Sequence, residues 1–411
     1  MTVDTEPTVT TSTIARDRIA AASARVDRIA DELGELADPV DRGDADPAAA
    51  FRLVADAGLL TLLLPTTDGG FGLDFAGYTQ VLARIARVNG ATALGFNMHN
   101  AAIASVFEID ETRLDKAGSR FRTWVVQEVR DHRRMFASAT SEPGTGARLR
   151  GLATTYRHDG DQLVLDGVKS FVSLAPIADY YVVSAREVAT RGTTPGDGPG
   201  SNEFEVSEVV LDRAAAGVEI DRWWPGAGLR GTATASVTLR GVVTPGSRLY
   251  LGVEGMSLFN VVRAPHWMAA GYLGAYLGIA EATVDFVADT LRHKGATAPA
   301  VLDEFGAMVI AYEATRSLVL RAAAAVSHRD PDANALIYAA KQHLGRTGQD
   351  LAATAVRLVG SAAMATAGPM QRLLREIQFC SIMPAKPHDC TNYVARARLG
   401  DNMLDVRSQS W

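Results

Sequence analysis

Cysteine is nearly absent from this chain of 411 residues: Cys380 and Cys390 are the only two. They lack CxxC spacing, which excludes a disulfide framework and suits a reducing cytoplasm. The eight histidines show no paired spacing, so no metal site is expected. Long Lys/Arg clusters are missing and the net charge is −6, which leaves no electrostatic footprint for nucleic acid. Long apolar runs are missing too. The run at 58–64 stops at Pro65, far short of a bilayer span, and reads as a buried helix end or strand, with no membrane insertion. Residues 1–12 are Thr-rich and acidic. They fit neither a secretory signal nor an Arg-rich transit peptide and are read as a disordered tail. What the chain does have is apolar content, 47% by composition, enough for two or three packed units and a small-molecule enzyme.

The order of elements follows from pattern. Residues 13–135 are helical in periodicity, with Ile19, Val26, Ile29 and Leu33 on one stripe and a break at Asp68-Gly69-Gly70-Phe71-Gly72. From Phe136 the pattern turns to short strands, expected at 151–157, 162–165, 169–172, 180–184, 206–211 and 232–239, the spacing of a compact sandwich or barrel over 136–250. The Gly/Pro/Ser-rich stretch 193–202 reads as a mobile hairpin tip. Helical periodicity returns over 251–411, where four long amphipathic helices predict a bundle. The fold class is therefore α+β, with an all-α first domain, a central β domain and a C-terminal four-helix bundle.

Two segments of the β region carry chemistry. Ser138-Ala139-Thr140-Ser141-Glu142-Pro143-Gly144-Thr145-Gly146 is a hydroxyl-rich strand running into a tight turn. Gly144 and Gly146 accept positive φ, so the turn is either a ligand cradle exposing backbone amides or an ordinary surface turn. In the second segment Leu163 and Leu165 alternate with Val164, Asp166-Gly167 reads as a turn, and Val168, Ser170 and Val172 alternate with Lys169, Phe171 and Ser173. This is a hairpin signal. Phe171 either packs on a ligand ring or fills the sandwich core.

Together these motifs resemble the flavin-cradling core of the acyl-CoA dehydrogenase family. The resemblance extends over nearly the whole chain, to the Gly228-Leu229-Arg230-Gly231-Thr232 turn and to Arg263, Gly271 and Gly274. It implies FAD, held by Ser138, Thr140, Ser141, Gly146, Phe171, Ser173 and Gly360, although Gly360 has the simpler reading of a helix C-terminal glycine. It also implies a homodimer or homotetramer built through the C-terminal bundle, an electron-acceptor flavoprotein or oxygen as redox partner, and α,β-dehydrogenation of an acyl thioester. That chemistry needs a base opposite the flavin. The matching position is Asp389, in Pro387-His388-Asp389-Cys390-Thr391. Asp is shorter than the family's usual Glu by about 1.5 Å, and its alternative role is a helix N-cap. The family's other base position falls on Val262, which is empty of chemistry. Arg263 and Arg396 are the residues implied to touch substrate, Arg263 having a surface ion pair as its alternative.

Two departures bear on the cofactor. Arg292-His293-Lys294-Gly295-Ala296 stands where the family has Arg-x-Thr-Phe-Gly, and Ala147 replaces a serine on the pyrophosphate. A flavin-dependent oxidase or two-component monooxygenase on the same fold is the second reading.

Overall fold

The computed structural model describes residues 8–188, 206–269, 271–366 and 368–405. The stretch 193–202, expected to form a hairpin tip, lies outside the described residues, as do residues 1–7 of the expected tail. Helices α1 (Thr8–Glu35), α2 (Ala37–Arg42), α3 (Ala48–Asp56), α4 (Phe75–Val88), α5 (Gly90–Glu108) and α6 (Lys116–Arg130) come first. Strands β1 (Phe136–Ala139), β2 (Thr155–Asp159), β3 (Gln162–Val172), β4 (Tyr180–Glu187), β5 (Val206–Asp212), β6 (Val218–Trp223) and β7 (Ala235–Pro245) follow. The chain ends in α7 (Met256–Arg263), α8 (Pro265–Ala269), α9 (Leu273–Lys294), α10 (Pro299–Ser327), α11 (Ala333–Val359), α12 (Pro369–Ile382) and α13 (Pro387–Leu399). The α+β architecture expected from pattern is the one observed: helices, a central curled sheet, then helices.

Contacts group the chain into two compact units, Met1–Leu94 with Gly271–Thr391, and Gly95–Ala270 with Asn392–Trp411. The first is helical. α4 lies against α9 so closely that Cβ atoms added at Gly274 and Gly278 would meet Thr79 O at 2.5 Å and Ala83 O at 2.1 Å, so two glycines set the interaxial distance. α9, α11 and α12 pack around Tyr276, Ile279, Leu344, Leu351 and Ile377, all buried. Arg372 ties α12 to α2 through Asp38 at 2.7 Å and also meets the buried Glu376 at 3.1 Å. The hydrogen-bonded pair satisfies charges whose burial would otherwise be costly.

The second unit is built on the seven-stranded sheet, ordered β1-β4-β2-β3-β7-β6, with β5 on β4. One expectation is corrected here. Asp166-Gly167 is not a hairpin turn, because β3 runs unbroken from Gln162 to Val172 with an irregularity between Leu165 and Gly167. Asp166 Oδ1 accepts from Gly241 N at 2.7 Å, which holds the bulge in the ladder. The hairpin joins β2 to β3 at Gly160, where φ is +63°. Strand β6 escapes the pattern reading altogether. Among the described residues, no helix is long and apolar enough to cross a membrane.

Candidate active site

The two chemistry-bearing segments come together in the sheet unit. Ser170 N donates to Ser141 O at 2.8 Å, joining the middle of β3 to the start of the Glu142–Gly146 turn. That turn closes on itself, Glu142 N to Gly146 O at 3.0 Å and Gly146 N to Glu142 O at 2.9 Å. Gly144 and Gly146 have φ of +85° and +61°, and a Cβ at either would meet nothing within 4 Å. Their backbone is therefore open to a close-approaching ligand.

Behind the turn sits a buried ion pair that pattern reading missed. Lys169 is fully buried and donates to Glu142 Oε1 at 2.8 Å, to Ser184 O at 2.6 Å and to Thr140 O at 3.2 Å. Glu142 also accepts from Ala153 N at 2.6 Å and Thr154 N at 3.0 Å. Burial pushes the Lys169 ammonium down to about 8, against the pull of Glu142. Burial works to raise Glu142, but its donors prevail and hold it below the usual carboxylate range. Its signal in the sequence was a lysine between the apolar positions Val168 and Val172 of one strand.

Phe171 is not core. It is 59% exposed, with φ of +54°. A non-glycine residue in that region marks strain. The reversal breaks the alternation of β3, so Lys169 and Val172 are buried and the Phe171 ring projects outward. There it meets Trp224 edge-on at 5.6 Å between centroids, an aromatic partner sequence reasoning did not single out. Ser173 follows, its hydroxyl 2.9 Å from Thr234 Oγ1, which lies 2.7 Å from Thr232 Oγ1.

The remaining expected residues are placed as follows. Ser138 and Ser141 are half-buried on and just after β1. Thr140 is turned inward, its hydroxyl 3.0 Å from Ser184 Oγ, so that group is committed inside the unit. Arg263, exposed, ends α7, and Arg396 Nε donates to Asp401 at 2.7 Å. Gly360 and Asp389 belong to the helical unit. Gly360 closes α11 with φ of +80°, consistent with its helix-ending role. Asp389 lies in the first turn of α13. Its carboxylate accepts from Lys386 N at 3.3 Å and is 2.9 Å from His388 Nε2. The first contact is the return half of a capping box, so Asp389 caps the helix from within its first turn and not from the N-cap position. His158, Glu187 and Glu254, distant in sequence, bring their ligand atoms within 4.8 Å of one another. His158 is half-buried and both glutamates are exposed, and ordinary ion pairing accounts for them.

Whether the sheet unit suits a flavin can be judged from its own atoms. Thr145 Oγ1 in the turn and Ser170 Oγ on β3 are buried without a hydrogen-bond partner among the described residues, which is costly unless a ligand or water supplies one. An open glycine turn, unmet hydroxyls and an outward aromatic pair fit a flat, polar-edged ring.

Family comparison gives the same class. The chain matches the acyl-CoA dehydrogenase N-terminal domain over residues 18–109, the middle domain over 137–242 and the C-terminal domain over 255–384. It belongs to the acyl-CoA dehydrogenase family, whose members among its relatives are flavoprotein oxidoreductases. Among individual proteins it is similar to the 3-(aryl)acrylate reductase of Clostridium sporogenes (strain ATCC 15579), 26% identical over 62% of this chain and 63% of that one, slightly under two thirds of that relative's length. It is 27% identical to the amino sugar nitrososynthase RubN8 of Streptomyces rubradiris over 93% of this chain and 91% of that one. Two solved structures share the fold. KijD3 in complex with FMN and a dTDP-amino-keto sugar has a TM-score of 0.81 at 21% identity, covering 95% of this chain and 97% of that one. Butyryl-CoA dehydrogenase from Megasphaera elsdenii has a TM-score of 0.77 at 18% identity, covering 97% of this chain and all of that one (100%).

Proposed function

We propose that this chain is a flavin-dependent monooxygenase that takes reduced FMN from a separate reductase and oxidises a small molecule with dioxygen. The observation that carries this reading is the state of the acid at the family's base position. Asp389 accepts from a backbone N–H and lies against His388. Both contacts draw on the electron pairs that a base for a weakly acidic α-proton must offer. The sheet unit, by contrast, has what a flavin ring needs. Phe171 and Trp224 form an outward aromatic pair, Ser173 with Thr234 and Thr232 forms a hydroxyl string, and the Glu142–Gly146 turn, closed at its ends, leaves the backbone at Gly144 open to close approach. The flavin supplies the redox chemistry, and these residues hold and orient it. That KijD3 binds FMN and that RubN8 is a nitrososynthase lend support.

The second reading keeps Asp389 as base for FAD-dependent α,β-dehydrogenation of an acyl thioester, with Arg263 and Arg396 on the substrate. It is favoured by the place of Asp389 directly after the α12–α13 turn, where the resemblance puts the base. Either enzyme is a homodimer or homotetramer in the reducing cytoplasm. Leu302 and Ile310, 50% and 71% exposed on α10, support an assembly through the C-terminal helices.

One pair of measurements decides. Mixed with a panel of acyl-CoA esters without oxygen, the flavin-loaded protein keeps its oxidised spectrum under the first reading. Supplied with a flavin reductase and NADH, it holds reduced FMN and consumes oxygen. Bleaching by an acyl-CoA, abolished by Asp389→Asn with flavin still bound, would establish the second reading instead.

A further inference from the structure

Two arginines on the sheet stand outside every role assigned above. Arg186 of β4 is in register with Thr155 of β2, and its backbone N–H donates to Thr154 O at 3.0 Å. Arg157 lies two residues further along β2, so both side chains project from one face, with their Cα atoms diagonal neighbours about 8 Å apart by strand spacing. Both are half-buried. Arg157 Nη1 and Arg186 Nε are cut off from solvent, yet neither has a hydrogen-bond partner among the described residues. Other arginines of the unit are met, Arg134 by Asp179 at 2.6 Å and Arg213 by Ala178 O at 2.7 Å.

We propose that Arg157 and Arg186 form a phosphate-binding site at the C-terminal ends of β2 and β4, taking a phosphoryl group carried by one of the enzyme's ligands. The site goes beyond the flavin reading and is testable apart from it. A guanidinium keeps its charge at any pH a protein survives, so a buried N–H without an acceptor is a cation left unanswered. An anion answers it. Two planar forks suit a phosphoryl group, whose tetrahedral oxygens and double charge match both arginines, whereas a carboxylate brings one charge and one edge. On one side of the pair the face opens to solvent: Val164, in register with Arg157, is 6% exposed, but Val243, in register with Val164, is 47% exposed. On the other side Val206, in register with Arg186, packs against Leu149, Leu152 and Val261. Such an apolar wall strengthens the field of the pair. The site is also tied to the cradle, since Thr154 donates its N–H to Glu142 at 3.0 Å and receives the N–H of Arg186 on its carbonyl.

The carboxylates of this region are engaged elsewhere. Glu142 is taken by Lys169 and by the N–H groups of Ala153 and Thr154. Asp166, in register with Thr155 and so on the arginines' face, accepts from Gly241 N at 2.7 Å. Glu187, next to Arg186, projects to the opposite face, where it lies 3.8 Å from His158. Asp159 of β2 and Glu208, which is in register with Ser184 of β4, share the arginines' face. Among the described residues neither is ion-paired to Arg157 or Arg186.

Calorimetric titration of the full flavin-free chain with inorganic phosphate and with pyrophosphate tests this. The wild type should bind both, and Arg157→Gln and Arg186→Gln should each weaken the binding by about tenfold or more. Arg240→Gln removes a cation of the same sheet that pairs with Glu219, and it should leave the affinity unchanged. Where circular dichroism shows that a glutamine variant has lost its fold, Arg186→Lys takes its place: it keeps the charge, loses the fork, and should still bind about fivefold more weakly than wild type. Repeating the titration on FMN-loaded protein identifies the ligand. If pyrophosphate no longer binds, the site holds the phosphate of the flavin itself, and FMN should bind about tenfold more tightly than riboflavin; if it still binds, the phosphoryl group belongs to the substrate. No binding to the wild type, unchanged affinity in the Arg157 and Arg186 variants, or an equal loss in Arg240→Gln overturns the proposal. Failure of both FMN and riboflavin to bind overturns the flavin reading instead, and the titration of the flavin-free chain still decides on the arginine pair.

Discussion

At Phe171 a single backbone angle changes what a strand presents. Alternation alone puts Lys169, Phe171 and Ser173 on one face of β3; the positive φ at Phe171 separates them, burying the lysine and exposing the ring. Residue type was legible in the sequence, but direction was not, because a left-handed turn at a phenylalanine has no composition signal. The functional and stability roles of this ring should therefore come apart. Phe171→Ala removes little buried area, so its unfolding free energy should stay within about 0.5 kcal/mol of wild type, while FMN affinity falls tenfold or more, by roughly 1.4 kcal/mol. Denaturant unfolding alongside flavin fluorescence titration checks this; equal losses in both would return Phe171 to the core. Glu208 gives a second residue-scale expectation. Its folded-state pKa of about 7 lies above the ordinary 4.5, so its neutral form is favoured on folding. Wild-type stability should then fall as pH rises from about 4.5 to about 7, relative to Glu208→Gln, by up to about 3 kcal/mol. Urea melts of both proteins at pH 5 and pH 8 measure the difference, and a constant offset would show that Glu208 ionises freely.

Elements were read well where periodicity is long and poorly where a turn signal sits inside a strand. The long C-terminal helices announce themselves by apolar spacing and by the breaks at Asp330-Pro331 and Gly368-Pro369. Asp166-Gly167 misled because a bulge and a turn use the same residues; only the Gly241 N–H that Asp166 receives from β7 distinguishes them. Gly274 was noticed as a family position, yet its physical use lies in a contact between helices remote in sequence. Gly278, one turn after Gly274 on the same face of α9, is the sharper case. A Cβ there would stand 2.1 Å from Ala83 O and 2.6 Å from Ala86 Cβ, and backbone cannot move aside cheaply. Gly278→Ala should cost about 1–3 kcal/mol despite the better helix propensity of alanine. Gly306 on α10 is the control, since a Cβ there meets nothing within 4 Å; Gly306→Ala should gain roughly 0.5–1 kcal/mol. Thermal melts of the two variants should move in opposite directions.

On the scale of the whole molecule, the order of helices, sheet and helices was legible, and so was the family; the choice of chemistry was not, because it turns on how a few side chains are engaged. The segment 292–296 shows how. Where the family resemblance places a reach toward a neighbour's FAD, Gly295 closes α9 in the left-handed conformation and Lys294 donates to Val359 O at 2.8 Å. Arg292 pairs with Asp289 on its own helix. These groups are committed to ending a helix and tying it to α11, and Ala147 removes a further hydroxyl from the pyrophosphate position. On the proposed reading, the ring half of a flavin would keep its contacts in the sheet unit while the adenosine half would lose the ones the resemblance implies. The expected outcome is that FAD binds no more than about tenfold more tightly than FMN, a difference of about 1.4 kcal/mol or less for the entire AMP moiety. Fluorescence titration of the flavin-free protein with each cofactor measures it directly. An FAD preference of a thousandfold, roughly 4 kcal/mol, would mean that other residues have taken over the adenosine contacts, and it would shift the balance back toward a dehydrogenase.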